Sequence, residues 1–401
     1  MKINWVPDAI PITLWDWLLI GKDLLFPDTN IPLVEENENY DTISGFSCRS
    51  LFEIMMRNMK DDKKQFGISP IHHTSWRDII QKYIPSEKIT ILELNSKMSE
   101  IAIDKLEETE FEKIDIVICT HMFGLDFDLS CLETLKEKYN WLVIEDRVQG
   151  GTLETPFSHP VVDLSFYSMG MDKRPCALGG GYVNIRKGNE DIKNKILASL
   201  EELPLESRWC RMFSLIQKIP TYALYSYQSV FSVVCGILPM IGVSLSSAIQ
   251  GYRKKNPGFS HHNYLLKPNP ALQTTMKRNK INYIEIEKCL RKKYNYFYSN
   301  LNLEYIPWVN YERIKNSQGK SAVSLTMYNT IFIKPENKEH TLSEFKKMKI
   351  PYLPNPTWKV LQVAPPTYQE FCDGLVYLPC LYHMERIDME YLRCVVNYAS
   401  N

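Results

Sequence analysis

The sequence predicts an α/β fold in which a large domain with a mostly parallel sheet precedes a smaller α+β domain. Between about residues 65 and 187, short apolar runs alternate with amphipathic stretches, as in repeated strand–helix units. The apolar runs are nearly continuous, which is typical of parallel strands buried on both faces. Farther along, residues 271–301 have the pattern of one long helix with a Lys- and Glu-rich side, and the rest mixes short strands and helices.

Each predicted element follows from its own pattern. Short apolar runs predict strands at residues 65–69, 89–94, 114–120, 141–145, 163–168 and 181–185. Amphipathic spacing predicts crossover helices between them, such as 76–83 and 132–139. In the C-terminal part, the same criteria predict a strand at 330–333 and a helix at 389–397.

These patterns divide the chain into four parts. Residues 1–44 show no clear period and are expected to pack on the smaller domain. Residues 45–205 are expected to form the large domain, 206–258 an apolar insert, and 259–401 the smaller domain.

The composition narrows the class of function. The 401 residues carry 47 basic and 47 acidic side chains, so no excess of charge favours a nucleic acid as partner. Ten cysteines are scattered without a C-x-x-C pair, which is typical of reduced thiols in the cytoplasm and not of a zinc site. Asp8 and Asp16 interrupt the apolar residues near the N-terminus, so no signal peptide is expected.

An uncharged segment lies between the two domains. Residues 219–252 contain no Asp, Glu, Lys or Arg, and residues 229–248 would span about 30 Å as a helix. Serines, glycines and Pro239 offset much of the apolar character, so a span is marginal. Three interpretations stay open: burial in the core or a dimer interface, a hairpin broken near 236–239 that lies in one leaflet, and a true span.

Chemically reactive residues follow two neighbouring predicted strands. Asp146 ends one strand, and a carboxylate there faces the crevice in which α/β folds bind ligands. The next strand leads to Ser168 and, five residues later, to Lys173, before the glycines 179–181 open another strand. A lysine in such a loop can form a Schiff base while the serine binds a phosphate, and an aspartate can pair with a pyridinium nitrogen. Each feature alone is common in turns and caps, but their order and spacing together indicate a cofactor site.

This block resembles the DegT/DnrJ/StrS family of sugar aminotransferases, which depend on pyridoxal phosphate (PLP). The chain has EDRVQGG, DLSFYSMGMDK and LGGGYVNI where the family pattern is roughly EDxAQ, DxxxxSFxxxK and GGxxxT. It departs from the family at Met169-Gly170 and in a glycine that replaces the Glu of GEGG. The resemblance implies the PLP-dependent transferase fold type I, with a sheet of the seven-stranded type in the large domain.

The resemblance also implies roles for four residues of the block. Asp146 would pair with the pyridine nitrogen, and Gln149 would contact the side of the ring that carries the hydroxyl group. Ser168 would bind the cofactor phosphate, and Lys173 would hold the cofactor covalently.

Weaker matches lie on both sides of the block. FSCRSLFEIMM stands in the place of the family's SGTxAL turn, which implies that Ser47, Cys48 and Arg49 hold the phosphate where a helix begins. SPIHHTSW is similar to a turn whose aromatic residue stacks on the ring, which places His73 there. NYLLKPNP implies that Lys267 reaches the phosphate of the neighbouring subunit. The same residues are also typical of an ordinary helix cap and of half-buried loop histidines.

The function implied is transfer of an amino group from an amino-acid donor to a keto acceptor, a nucleotide-linked keto-sugar in the family. The family also implies a homodimer with sites at the interface. Two other functions stay open: a PLP enzyme of different chemistry, such as sugar dehydration, and a membrane-associated, non-catalytic protein of the same fold. Dehydrating members typically replace the lysine, so Lys173 favours transamination. The expected location is the cytoplasm, with peripheral or monotopic membrane contact as an alternative.

Overall fold

The structure of the protein is a computed structural model. It describes residues 13–59, 64–122, 127–150, 155–170, 173–242, 264–299, 301, 305–306, 329–348, 350, 352–354, 358–378 and 384–398.

An eight-stranded sheet forms the centre of the large domain. Its strands, in chain order, are β1 (Val34–Glu36), β2 (Tyr40–Gly45), β3 (Phe66–Ile68), β5 (Ile89–Ile91), β6 (Ile116–Thr120), β7 (Leu142–Asp146), β8 (Leu164–Ser168) and β9 (Gly181–Arg186). Their spatial order is β1-β2-β9-β8-β7-β6-β3-β5. Strand β4 (Ile71–His73) lies outside this sheet and pairs with β12 (Trp358–Val360) of the C-terminal part.

The helices of the described residues fall into two sets along the chain. The N-terminal half contributes α1 (Leu14–Leu25), α2 (Cys48–Met59), α3 (Thr74–Tyr83), α4 (Glu108–Phe111), α5 (Glu133–Tyr139) and α6 (Glu190–Glu201). The later residues contribute α7 (Arg208–Ser226), α8 (Gln228–Ile237), α9 (Pro270–Tyr298), α10 (Pro335–Lys347), α11 (Thr367–Gly374) and α12 (Arg386–Tyr398).

The centre of the sheet is parallel, as the apolar runs predict. Strands β5, β3, β6, β7 and β8 run parallel, and β9 then pairs antiparallel with both β8 and β2. Every residue of β6 is buried, because helices cover both faces of the sheet. All six strands predicted from residues 65–185 are present, with ends that differ by three residues or fewer. The predicted α/β class is confirmed.

Two apolar cores lie on opposite faces of the sheet. On one face, α2 and α3 meet the sheet, and Trp76 stacks on Phe52 with ring centroids 3.5 Å apart. On the other face, buried residues of the sheet join those of α9, α11 and α12 in one cluster. The long helix α9 begins as its sequence predicts, because the Asn269 side chain caps the Leu272 amide and Pro270 occupies its first turn.

The smaller domain has a sheet of its own. Strand β13 (Leu375–Leu378) pairs antiparallel with β10 (Asn329–Phe332) and β11 (Leu353–Pro354). The strand predicted at 330–333 and the helix predicted at 389–397 correspond to β10 and α12. The register of β12 and β4 places Trp358 opposite His73, so this short ribbon links the smaller domain to the start of α3.

The N-terminal residues belong to both domains, which differs from the expected arrangement. Helix α1 packs against α9, but β2 pairs along its whole length with β9 and extends the large sheet. The expected boundary at residue 44 therefore does not separate residues 34–44 from the large domain. Burial explains the difference: residues 41–43 are buried against the sheet, yet only Ile43 among them is apolar, so their pattern does not predict a strand.

The described part of the insert, residues 206–242, contains two helices. Helix α7 contains Pro220, and α8 ends at Ile237, where a 3-10 turn (Leu238–Ile241) follows. This end agrees with the break predicted near 236–239, whereas residues 243–258 of the predicted insert lie outside the described residues. Within the part of the chain that the structure describes, none of the helices combines the length and apolar character needed to cross a bilayer.

Candidate active site

The candidate site lies at the edge of the sheet where β6, β7 and β8 end. The register places Thr120 beside Asp146, at the carboxyl ends of β6 and β7. Strand β8 ends at Ser168, which pairs with Gly181 at the start of the antiparallel β9. Gly181 in turn pairs with Gly45, the last residue of β2. Parallel strands bring their carboxyl ends to one edge, which is the ligand-binding edge of α/β folds.

Asp146 is buried at this edge, with 2 % of its surface exposed. Its Oδ1 accepts a hydrogen bond from the Val148 amide at 2.9 Å. Burial raises the pKa of Asp146 to about 7, because a carboxylate loses hydration, although the Val148 hydrogen bond and the Lys173 charge act in the opposite direction. A positively charged group placed beside this carboxyl group would therefore stabilise its ionised form.

Lys173 lies close enough to Asp146 and Cys48 for its charge to change their pKa values. Its ammonium charge lowers the pKa values of both Asp146 and the Cys48 thiol, although burial keeps each of them above its usual value. The side chain is half-buried, and its amide donates to the Gly170 carbonyl at 3.0 Å. The structure thus brings together the lysine and the aspartate that the sequence places 27 positions apart.

The first turn of α2 borders the same edge. The Ser47 and Ser50 side chains cap this turn reciprocally: Ser47 Oγ accepts from the Ser50 amide, and Ser50 Oγ accepts from the Ser47 amide, both at 3.0 Å. Ser47 also forms a bridge with Gly180. Such a turn presents backbone N–H groups to an anion. Gly181 allows the close approach, since a Cβ at this position would lie 2.3 Å from the Cys48 nitrogen.

We expect Gly181→Ala to disturb the packing of β9 against the first turn of α2. The added methyl group forces β9 and α2 apart, and overpacking of this kind costs about 1–3 kcal/mol. Gly21→Ala is the matched control, because nothing lies within 4 Å of a Cβ at Gly21 in helix α1. Urea unfolding should show a loss for Gly181→Ala and a small gain for Gly21→Ala, since alanine favours helices. Equal stability of Gly181→Ala and the wild type would show that Gly181 does not pack closely against Cys48.

The two neighbouring histidines have different environments. His72 is fully buried, donates from Nε2 to the Ser69 carbonyl at 2.7 Å, and accepts from the Thr120 hydroxyl at Nδ1. Burial lowers its pKa to about 4, so it is neutral. His73 caps α3, and its Nδ1 accepts from the Ser75 amide at 3.2 Å. The stacking role of His73 stays a prediction.

Three further predicted site residues have these positions. Gln149 is half-buried, three residues past Asp146. The Arg49 guanidinium lies 5.4 Å from the centre of the Tyr264 ring. Lys267 pairs through its backbone with Pro204 and Glu206, which connects the start of the insert to the residues before α9. Their predicted contacts with the cofactor stay predictions.

A buried polar network on the opposite face of β7 was not predicted. Glu145 accepts hydrogen bonds from His121 Nε2 at 2.8 Å and from the Ser158 amide at 3.0 Å. Burial alone would raise the pKa of Glu145, but the Arg147 charge and the His121 hydrogen bond lower it to about 2. Because the Phe127 amide donates to His121 Nδ1, the histidine proton lies on Nε2.

This network supports the loop after Asp146. Arg147 is 2 % exposed and donates to the Thr155 carbonyl at 2.8 Å and to the Tyr167 hydroxyl. The sequence contains a signal for this network. The motif Glu-Asp-Arg at residues 145–147 stands at the end of a buried strand, and buried charged side chains need partners of opposite charge.

Helix α7 holds the loop that follows the predicted cofactor lysine. Arg211 donates to the Ala177 carbonyl at 2.9 Å and to the Leu178 carbonyl at 3.2 Å. Lys218 Nζ donates to the same Leu178 carbonyl. Burial lowers the pKa of Arg211, and burial together with the Arg211 charge lowers the pKa of Lys218 to about 7.

Helix α9 completes this hold on the loop. The Asn279 amide donates to the Cys176 carbonyl at 2.7 Å, and Met276 packs beneath Gly180, whose φ is +87°. A Cβ at Gly180 would lie 2.3 Å from the Met276 sulfur. The insert therefore takes part in positioning the candidate site, which none of its three sequence-based interpretations included.

We expect Arg211→Leu to loosen this loop. The change removes charged donors from two buried carbonyls, which costs about 2–4 kcal/mol of the free energy of unfolding. Arg208→Leu, one turn earlier and exposed, is the matched control and should leave stability unchanged. Urea midpoints of the two variants would measure the difference. A loss of the same size in both variants would contradict the role given to Arg211.

Comparison with known proteins relates this geometry to solved structures. No protein-family model matches the chain, and no curated protein matches it. The Streptococcus pneumoniae protein Spr1654, described as a sugar aminotransferase, superposes in its PMP form with a TM-score of 0.66 and 12 % identity, covering 100 % of this chain and 99 % of that one. Helicobacter pylori PseC, an aminotransferase involved in the biosynthesis of pseudoaminic acid, gives 0.62 and 11 %, covering 98 % of each chain.

A third structure supports the same assignment of fold. A DegT DnrJ EryC1 StrS aminotransferase from Brucella abortus gives a TM-score of 0.59 at 11 % identity, covering 95 % of this chain and 94 % of that one. The chain therefore shares the fold of these solved aminotransferases, the PLP-dependent transferase fold type I, and the predicted fold is confirmed. The sheet has eight strands where the resemblance implied seven, because β1 is added at its edge beside β2.

Proposed function

We propose that the protein is a PLP-dependent aminotransferase whose cofactor is held by Lys173 and Asp146. One observation carries the proposal: a buried carboxyl group with a raised pKa lies within range of the Lys173 charge at the ligand-binding edge of this sheet. A buried carboxyl group with a perturbed pKa and a charged neighbour favours a catalytic assignment. The similarity of the fold to solved aminotransferases supports the same function.

The residues at this edge fit the chemistry of PLP. A pyridinium nitrogen is a suitable partner for the buried Asp146, because its positive charge offsets the cost of ionising that carboxyl group. The close approach of Gly181 to the Cys48 amide leaves the first turn of α2 clear of a side chain where a phosphate would bind. Ser168, half-buried at the end of β8, adds a hydroxyl donor.

Each residue then has a defined task. Bound PLP supplies an electron sink for charge that develops on the donor carbon. Asp146 holds the proton of the ring nitrogen, which keeps the ring electron-poor. Lys173 holds the cofactor at rest, and its Nζ, once deprotonated, carries a proton to and from the substrate carbon.

The substrates and assembly follow from the same proposal. The acceptor would be a keto-sugar, for which the similar sugar aminotransferases are the support, and the donor an amino acid. The active form would be a homodimer, in which Lys267 would reach the phosphate of the neighbouring subunit.

Spectroscopy of the purified protein tests the proposed function. We expect an absorbance band of bound PLP in the visible range, which is replaced by a band of the pyridoxamine form when glutamate or another amino donor is added. A colourless protein that takes up no PLP would leave only a non-catalytic binding function. Bound PLP without conversion by any amino donor would favour a PLP enzyme of different chemistry.

A further inference from the structure

Asp146 lies between two buried residues of opposite charge. The side chains of Glu145 and Arg147 are both 0 % exposed, and Arg147 Nε lies 4.0 Å from Glu145 Oε1. The Arg147 amide donates to the Phe166 carbonyl at 3.0 Å, so the pairing of β7 with β8 continues through Arg147. Because successive residues of a strand point to opposite faces, Glu145 and Arg147 share one face and Asp146 lies on the other.

Arg147 contributes strongly to the ionisation of Glu145. Burial alone would raise the pKa of Glu145, and the Arg147 charge is the largest of the effects that lower it to about 2. Three further donors bind the same carboxylate: His121 Nε2 at 2.8 Å, the Ser158 amide at 3.0 Å and the Ser158 hydroxyl. We therefore expect Glu145 to stay ionised when Arg147 is replaced by an uncharged residue.

The Glu145 charge acts on the predicted cofactor aspartate. Burial is the main cause of the raised pKa of Asp146, and the charge of Glu145 raises it further. The Val148 amide and the charges of Lys173 and His121 act in the opposite direction. A neighbouring negative charge disfavours the ionised form of a carboxyl group, and a cation beside that charge reduces its effect at a distance.

Two other titratable groups near Asp146 do not offset the charge of Glu145. The Cys48 thiol lies within range of the Asp146 charge, but burial raises its pKa well above the usual value, so the thiol is uncharged. The charge of Arg49, on the same helix, acts on Cys48 in the opposite direction. His72 is neutral because burial lowers its pKa to about 4.

We propose that Arg147 is a positioning residue for the proposed transamination, because its charge offsets that of Glu145 and so allows Asp146 to ionise beside the cofactor ring. This inference deepens the proposed function and rests on it. Arg147 acts through Asp146, since its own side chain lies on the opposite face of β7. Hydrogen bonds to the Thr155 carbonyl at 2.8 Å and to the Tyr167 hydroxyl hold the guanidinium there.

The pKa of Asp146 in the cofactor-free protein tests the proposal. It is the pH above which the difference in stability between Asp146→Asn and its parent stops growing. We expect this pH to rise by about one unit when the parent carries Arg147→Met, as for the loss of a charge about 10 Å away at an effective dielectric constant of about 20. Arg147→Met combined with Glu145→Gln removes both charges and should restore the wild-type value.

A purely structural role for Arg147 predicts the opposite direction. If Arg147→Met only loosened the loop after Asp146, water would reach the carboxyl group and its pKa would fall. Arg147→Lys keeps the charge and should keep the wild-type value. The matched control is Arg291→Met, which removes a buried arginine that pairs with Glu287 at 2.6 Å within α9, and it should leave the pKa of Asp146 unchanged.

Circular dichroism shows which variants are folded. An unchanged or lowered pKa of Asp146 in folded Arg147→Met would overturn the proposal. Should Arg147→Met not fold, Glu145→Gln alone decides, because it leaves the Arg147 charge in excess and should lower the pKa of Asp146. A pKa of Asp146 at or above the wild-type value in Glu145→Gln would then overturn the proposal.

Measurements with PLP separate this proposal from the proposed function. If the wild type transaminates, the acidic limb of its kcat profile should move to higher pH in Arg147→Met and return in the double variant with Glu145→Gln. An unmoved limb beside a shifted pKa of Asp146 would exclude a role for Arg147 in the reaction. A wild type that takes up no PLP would contradict the proposed function, whereas the measurement without cofactor would still test the effect of Arg147 on Asp146.

Discussion

Replacing Lys173 by alanine should abolish transamination while leaving the fold intact. The side chain is half-buried in a loop that Arg211, Lys218 and Asn279 hold through backbone carbonyls, so its removal breaks none of these bonds. The reaction, by contrast, loses its covalent anchor and its base together. We expect turnover to fall by at least about a thousandfold.

Borohydride reduction and peptide mapping identify the lysine directly. In the wild type, the reduced cofactor should be found on Lys173. Lys187→Ala is the control, because this lysine pairs with Asp41 at the other end of β9 and should not affect labelling. Label on Lys187, or on any lysine other than Lys173, would exclude the assignment.

Asp146→Asn should produce the second-largest loss. An amide cannot hold the proton of the pyridine nitrogen, so the ring becomes a weaker electron sink. We expect the barrier to rise by roughly 3–5 kcal/mol, or about 10²–10⁴-fold in rate. Asp191→Asn, on the exposed surface of α6, is the control and should keep the wild-type rate. A near-normal rate for Asp146→Asn would refute the role.

The same substitution predicts a pH dependence in protein prepared without cofactor. The pKa of Asp146 is about 7 in the folded protein and 3.8 in the reference state. Between these values the folded protein binds a proton that the unfolded chain does not, so the contribution of Asp146 to stability is greatest below 3.8 and is lost as the pH rises through about 7.

Thermal unfolding of this cofactor-free protein measures the effect. Asp146→Asn should be more stable than the wild type at pH 8, where the wild type carries a buried charge, and the difference should shrink at pH 5. A difference that is the same at pH 5 and pH 8 would show that Asp146 does not titrate in this range.

The local parts of the fold were predictable because local periodicity follows from burial. Continuous apolar runs predict β6 and β7 wherever helices cover both faces of a sheet. The ends of parallel strands meet at one edge, so the order of Asp146, Ser168 and Lys173 along the chain was enough to predict one site. Sequence patterns could not predict β2, whose buried residues include Asp41 and Thr42. Their partners are distant in the sequence: Thr42 binds Asn184, 142 positions away.

The spacing of residues within short segments was enough to predict the α/β class, the parallel centre of the sheet and the candidate pair of Asp146 and Lys173. That α7 holds the lysine loop through Arg211, and that Glu145 and His121 form a buried pair, became visible only in the folded structure. Both arrangements require charged or polar groups to leave water, and such groups are stable only where a folded neighbour supplies the hydrogen bonds. Sequence spacing does not specify which neighbour that will be.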